Sequence, residues 1–258
     1  MISRRHFMTA LSALPPARLL GARTLTTENS QTRSASLISA RHLEEVTRNV
    51  KITIGTGGHG HTYPGATVPF GMVQFSPDTF NEGWDWCSGY HYSDSSIMGF
   101  SHTHLSGTGN SDMLDFLLMP GTGPAKIFPG LRQNPGEGYR SRFSHEEEIA
   151  EPGYYSVRLR DYNIRAELSA TERAGIHRYT FPKSDSGHFI LDLVHAWRNY
   201  PFLWSNLQIV GNDAIVGGRS VQGIYRVWLE WIDQYLKWCR HLGEQCLVKR
   251  PPLTVLPE

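Results

Sequence analysis

Cysteine is scarce in this chain: three among 258 residues, Cys87, Cys239 and Cys246, an odd number with no C-x-x-C spacing. Neither a disulfide framework nor a zinc ribbon follows from that pattern, and a Cys239–Cys246 bridge stays open with nothing to favour it. Charge of one sign is also lacking. With 25 Lys and Arg against 24 Asp and Glu, the formal net charge is +1, so the basic face that a nucleic-acid partner requires is missing. No run approaches the roughly 18 apolar residues of a membrane-spanning helix, so no helical span is expected in the mature protein. "GTGGHG" and "SGTGNSD" are glycine-rich, but neither is a G-x-x-x-x-G-K-[ST] phosphate loop, and no strand-Gly-helix unit surrounds them.

What is present begins with "SRRHFMTALSALPPARLLGA". Arg4-Arg5 after Ser3, then Phe7 and a modest apolar run, resemble a twin-arginine export signal, which is an address and not structure. Export to the periplasm or the extracellular space is expected, with a disordered basic terminus on a cytoplasmic protein as the alternative. Residues 1–40 are read as export signal or disordered linker, 41–220 as the folded domain, and 221–258 as a divergent helical segment.

From Val50 to Gly121 glycine and proline recur every few residues, which forbids long helices because Gly costs backbone entropy and Pro removes a donor. Short strands and elaborate loops remain. "ATVPFGMVQFSP" and "DFLLMPG" read as buried strands between breakers. Further on, Tyr155, Val157 and Leu159, then Ile164, Ala166 and Leu168 alternate with polar residues around the turn Asp161-Tyr162-Asn163, the period of antiparallel sheet. "HFILDLVHA" continues it, and Gly211-Asn212-Asp213 marks a hairpin between "LQIV" and "AIVG". Strands at this spacing without helices between them imply an all-β antiparallel sandwich. In "RVWLEWIDQYLKWCRHL", Trp228, Trp231, Ile232, Tyr235, Trp238, Cys239 and Leu242 recur at three- and four-residue intervals, which predicts a C-terminal amphipathic helix.

The chemistry concentrates in three loops. His59-x-His61 and His102-x-His104 are alternate pairs, so in extended backbone each pair would turn both rings to one side. Such imidazoles suit Zn, Cu or Fe, but no Glu at motif spacing completes a metal pattern, and hydrogen-bonded or substrate-contacting histidines are the commoner outcome. Trp84, Trp86, Tyr90 and Tyr92 share a loop with Asp85, Ser88, His91 and Asp94. Aromatic platforms beside hydrogen-bonding groups match the apolar faces and hydroxyl edges of sugars; an aromatic cluster that merely fixes the loop is the plainer reading. Glycoside hydrolysis needs a pair of carboxyl groups, and no spacing identifies one. Glu146, Glu147 and Glu148 form a charge run of the kind that is usually a solvated face.

"IGTGGHGHTYPGATVPFGMVQFSPDT", "GWDWCSGYHYSDSSIMGFSHTHLSGTGNSD" and "YRSRFSHEEEIAEPGYYSVRLRDYNIRAELSATERAGIHRYTFP" resemble the N-terminal domain of glycoside hydrolase family 92, the calcium-dependent exo-acting α-mannosidases. The resemblance runs from about Gly55 to about Gly218. It implies a sandwich of the galactose-mutarotase-like kind, incomplete here, packed in complete enzymes against an (α/α)6 barrel that supplies a Glu acid and an Asp base. The activity it implies is hydrolysis of terminal α-linked mannose in N-glycan-type glycans, with inversion. The three loops would line the sugar pocket, with His61, Trp84, Asp85, Trp86, Cys87, His102 and His104 as contacts and no catalytic residue in this chain. Calcium is expected of the complete enzyme, with none assigned to this chain alone. A separately encoded barrel is a possible partner.

The sequence departs from the family after "GGR", where it turns into "SVQGIYRVWLEWIDQYLKWC", and before Ile54, where "NVKI" replaces the family's Asn-Pro-Phe. A frameshift, an early end or a split gene would each produce the first departure, and the expectation is a chain inactive alone. The alternatives are a non-catalytic carbohydrate-binding sandwich and, further off, a histidine-ligated metal enzyme.

Overall fold

The structure, a computed structural model, describes residues 46–197, 200–211, 214–223, 229–234 and 245–249. In chain order the strands are β1 (Ser76–Asp78), β2 (Ser96–Ile97), β3 (Gly99–Ser101), β4 (Leu117–Gly121), β5 (Ser141–Arg142), β6 (Ile149–Glu151) and β7 (Tyr154–Leu159). They continue as β8 (Ile164–Ala170), β9 (Gly175–Thr180), β10 (His188–Asp192), β11 (Phe202–Val210), β12 (Ala214–Val221), β13 (Leu229–Gln234) and β14 (Gln245–Lys249).

Alternation decides the middle of the chain. Tyr155 pairs with Leu168, Val157 with Ala166 and Leu159 with Ile164 across β7 and β8, so all six fall on one face, and all are buried. Asn163 closes the intervening turn at φ 55, a left-handed conformation that asparagine tolerates because its side chain bonds locally. Flanking strands complete an antiparallel sheet ordered β6-β7-β8-β9.

Opposite lies a sheet ordered β1-β3-β4-β10-β14, antiparallel except that β14 runs parallel to β10. Phe100, Leu117, Met119, Phe189 and Ile190 of this sheet join Tyr155, Val157, Ile164, Leu168 and Tyr179 of the other in one apolar cluster. Rings cross the gap: Tyr179 lies 6.1 Å from Phe100 and 5.4 Å from Phe189. Each fully buried side chain of this size contributes about 1.5–3 kcal/mol, which makes this shared face the main adhesive of the sandwich. A smaller cluster, Phe116, Leu191 and Leu193 with Leu207 against it, fastens β11. The hairpin of β11 and β12 pairs Val210 with Ala214, with Gly211 at φ 63.

Two expectations fail. Residues 229–234 are not helical: they form β13, antiparallel to β12, while 245–249 form β14. The remainder of that expected helix lies outside the described residues, as do residues 1–40 and Cys239. Trp, Leu and Ile are as much strand as helix formers, and the open edges of β12 and β10 offer unpaired backbone groups; an apolar run this dense fits either period. Secondly, "ATVPFGMVQFSP" contributes only an Ala66–Phe75 bridge and β1. Between them Phe70 is fully exposed at φ 61, because Pro69 and Gly71 break the extended backbone on either side.

Candidate functional site

Loops 55–65, 83–94 and 102–112 meet on one side of the sandwich, tied to one another by hydrogen bonds. Gly107 N donates to His61 O at 2.7 Å, Tyr92 N to Thr56 O at 2.8 Å, and Ser88 Oγ to Thr62 O at 3.0 Å. His91 accepts from Ser93 N at Nδ1 and donates from Nε2 to Gly58 O at 3.2 Å. His59 Nδ1 pairs with Asp85 Oδ1. The result is a continuous rim made from segments that sequence spacing alone does not connect.

The residues expected in a sugar pocket take different depths. Trp84, on the 3-10 turn Trp84–Trp86, is 58% exposed and meets the edge of His61 at 4.7 Å. Asp85 is partly exposed. Trp86 donates Nε1–H to Asp94 Oδ2 at 2.7 Å, and the Arg132 guanidinium stacks over its ring at 4.4 Å. His61 and Cys87 are buried directly beneath, Cys87 as a free thiol.

The histidine pair at 102 and 104 separates. β3 ends at Ser101, so the pleat that would turn both rings one way is absent. His102 sits 4.5 Å from the Phe75 ring and 5.0 Å from His177, where burial pushes its imidazole down to about 3. His104 turns inward instead, 4.9 Å from the Tyr63 ring. The four loop histidines therefore do not converge. Among the described residues no group of three or more His, Cys, Asp or Glu is placed to hold a metal ion.

Beneath the rim lies a polar layer that sequence reasoning missed. Asp78, fully buried, has Oδ1 2.8 Å from His104 Nε2 and Oδ2 2.7 Å from His195 Nε2. Burial alone would raise its carboxyl, but His104 and His195 outweigh burial and hold it below the usual carboxylate range. Its stabilising contribution is then complete above about pH 4 and is lost as pH falls further through the depressed value. Asp192 accepts from the backbone N of His195 at 3.0 Å and from Tyr139 Oη at 2.8 Å. Arg219 Nη1 donates to His195 O, and its Nε lies 3.2 Å from Asp115 Oδ1. No short-range motif links Asp78 to His195, which are 117 positions apart.

A second node anchors the aromatic loop to the other sheet. Glu148, in a charge run expected to be solvated, has a side chain only 4% exposed and 2.6 Å from His145 Nδ1. It also accepts from Tyr155 Oη at 2.7 Å and Tyr90 Oη at 3.0 Å. Burial raises both tyrosine hydroxyls, Glu148 adding to it, so they stay protonated donors.

Gly89 shows how closely the loop seats on the polar layer. It has φ +81, and a methyl there would lie 2.4 Å from Asp78 Oδ1 and 2.7 Å from Leu114 Cδ2. Gly89→Ala combines left-handed strain with overpacking, and a loss of about 1–3 kcal/mol is expected, read as a fall in the urea midpoint.

A cavity of about 600 Å3, lined by Phe80, Arg132, Tyr139, Arg140, His195 and Trp197 among others, lies off the rim and includes no residue of the three loops.

Residues 49–234 match the glycosyl hydrolase family 92 N-terminal domain. The structure is similar to that of a family GH92 alpha-mannosidase from Bacteroides thetaiotaomicron in complex with mannoimidazole, with TM-score 0.67 and 46% identity, covering 69% of this chain and 23% of that one. It is also similar to the GH92 family glycosyl hydrolase ccman5, with TM-score 0.56 and 30% identity, covering 68% of this chain and 24% of that one. An uncharacterized secreted glycosidase of Arthroderma benhamiae is 30% identical over 160 residues, 58% of this chain and 19% of its own length. The chain thus spans a quarter or less of the length of these relatives.

Proposed function

Because this chain belongs to glycosyl hydrolase family 92 through its N-terminal domain, we propose that its three-loop rim is the sugar-facing wall of an α-mannosidase cleft. The observation that carries this reading is the gathering of the loops at one rim with Trp84 exposed upon it beside the His59–Asp85 pair. An exposed indole offers a flat apolar face to a pyranose ring, and the neighbouring imidazole and carboxylate offer bonds to its hydroxyls.

Four carboxylates near the rim are already committed. Asp78 is held by two histidines, Asp94 by Trp86 and Arg132, Asp85 by His59, and Glu148 by two tyrosines and His145. Inverting hydrolysis needs a protonated acid on one side of the scissile bond and an ionised base on the other, about 6.5–9.5 Å apart. On this reading those two groups belong to a barrel-type unit outside the described residues. Calcium is proposed as a requirement of the assembled enzyme and not of this wall. Export is proposed with it, supported by Ser3-Arg4-Arg5 and by the secreted relative.

The test is mannose release from α-1,2-linked mannobiose by the purified chain, with and without calcium, alongside quantification of bound metals. No release is expected in either condition. Turnover by these residues would place the catalytic acids within them and overturn the reading, and stoichiometric zinc or iron would restore the histidine-ligated alternative.

A further inference from the structure

Asp78 is buried where all three loops converge, yet it reaches no surface. His104 faces an acceptor at each ring nitrogen: Asp78 Oδ1 lies 2.8 Å from Nε2, and the carbonyl oxygen of Gln74 lies 2.8 Å from Nδ1. Carboxylates and carbonyls only accept, so the His104 ring is placed to bridge the Asp78 carboxylate and the Gln74 carbonyl as a hydrogen-bond donor. Ser101 Oγ, 3.0 Å from the same Nε2, completes the pocket.

Several charged and titratable groups face this pair among the described residues. His195 holds the second carboxylate oxygen, Asp192 and Arg219 bond the His195 backbone, and the buried Tyr139 hydroxyl, which donates to Asp192, feels the Asp78 charge. His102 is neutral at ordinary pH, and the Tyr63 ring lies against His104.

Each loop touches the pair at a different point. Loop 55–65 meets it through Tyr63, 4.9 Å from the His104 ring. Loop 83–94 meets it through Gly89, whose missing side chain lets Asp78 Oδ1 approach, and whose carbonyl accepts from Thr79 N at 2.7 Å and Phe80 N at 3.2 Å. Loop 102–112 contributes His104 itself. Resting on the sugar-wall reading above, we propose that Asp78 is a positioning residue for that wall: with His104 it fixes the three loops relative to one another and touches no sugar.

Two measurements judge the role without any sugar. In Asp78→Asn, hydrogen exchange at the loop-tying amides of Gly107 and Tyr92 should accelerate tenfold or more together, while β7 and β8 keep wild-type rates. Acceleration confined to residues 78–80, or spread equally into β7 and β8, would count against a positioning role. In His104→Gln the same two amides should accelerate together, and wild-type rates there would overturn the proposal. Should Asp78→Asn fail to fold, His104→Gln decides.

A third titration uses α-1,2-mannobiose on both proteins, with binding by Asp78→Asn expected to be at least tenfold weaker. Equal affinity in the two would overturn the proposal. Absence of binding by the wild type would instead refute the sugar-wall reading, leaving the exchange data to judge Asp78.

Discussion

Glu148→Ala should lower the free energy of unfolding by about 3–5 kcal/mol, the largest loss expected of any single polar residue here. The carboxylate accepts from Tyr155 Oη at 2.7 Å, from Tyr90 Oη at 3.0 Å to Oε1 and 3.1 Å to Oε2, and pairs with His145 Nδ1 at 2.6 Å. The other nitrogen of His145 lies 2.6 Å from the carbonyl oxygen of Tyr92, so the ring ties Glu148 to the aromatic loop. Truncation removes the partner of that ring nitrogen and of two hydroxyls on tyrosines that are no more than 1% exposed. Each stranded donor carries its own desolvation cost of about 1–3 kcal/mol. Glu148→Gln keeps the volume and one acceptor oxygen but turns an amide N–H toward a donor, so a smaller loss of about 1–3 kcal/mol is expected. Urea unfolding with an unchanged m-value reads both. A loss under about 1 kcal/mol for the alanine variant would show that the node is replaceable by water.

Trp84→Ala should act in the opposite sense, sparing the fold and damaging recognition. The indole is 58% exposed and rests on the edge of His61 at 4.7 Å, so its removal should change stability by no more than about 1 kcal/mol. Affinity for α-1,2-mannobiose should fall at least tenfold, equivalent to about 1.4 kcal/mol and within the range of an aromatic contact. Trp84→Phe, which retains a smaller ring, should fall between the two. Isothermal titration of the three proteins distinguishes this from a rim that merely fixes the loop, for which affinity would be indifferent to residue 84.

Much of the fold was legible because a half-buried strand writes its burial into the sequence at period two. Tyr155, Val157, Leu159, Ile164, Ala166 and Leu168 announce both their sheet and their shared face, and the turns at Asn163 and Gly211 follow from residues that tolerate positive φ. The tail differs from the helical expectation because an apolar stretch as dense as "VWLEWIDQY" satisfies both the helical and the strand period, and the outcome rests on the edges of β12 and β10.

At the site, composition singles out three loops that the fold brings together, but not the polar layer beneath them. The parity argument for His102 and His104 fails one residue after β3 ends, since Gln74 N donates to His102 O and His102 N to Asp115 O, redirecting the chain. The roles of Asp78, His195 and Glu148 are not written locally: Asp78 sits in a short strand, His195 just past β10, and Glu148 in a charge run that reads as solvated. Their partners come from other segments, and only the folded register brings them together.

The most direct measurement follows backbone amide and indole N–H resonances of the 15N-labelled chain during titration with α-1,2-mannobiose. The expected result is a saturable set of shifts at Trp84, Asp85 and the glycines of loop 55–65, with β7 and β8 silent. Shifts clustered at Arg132, Trp197 and the cavity behind the rim, or no shifts at any sugar concentration, would contradict the assignment of these loops to a mannose-facing wall.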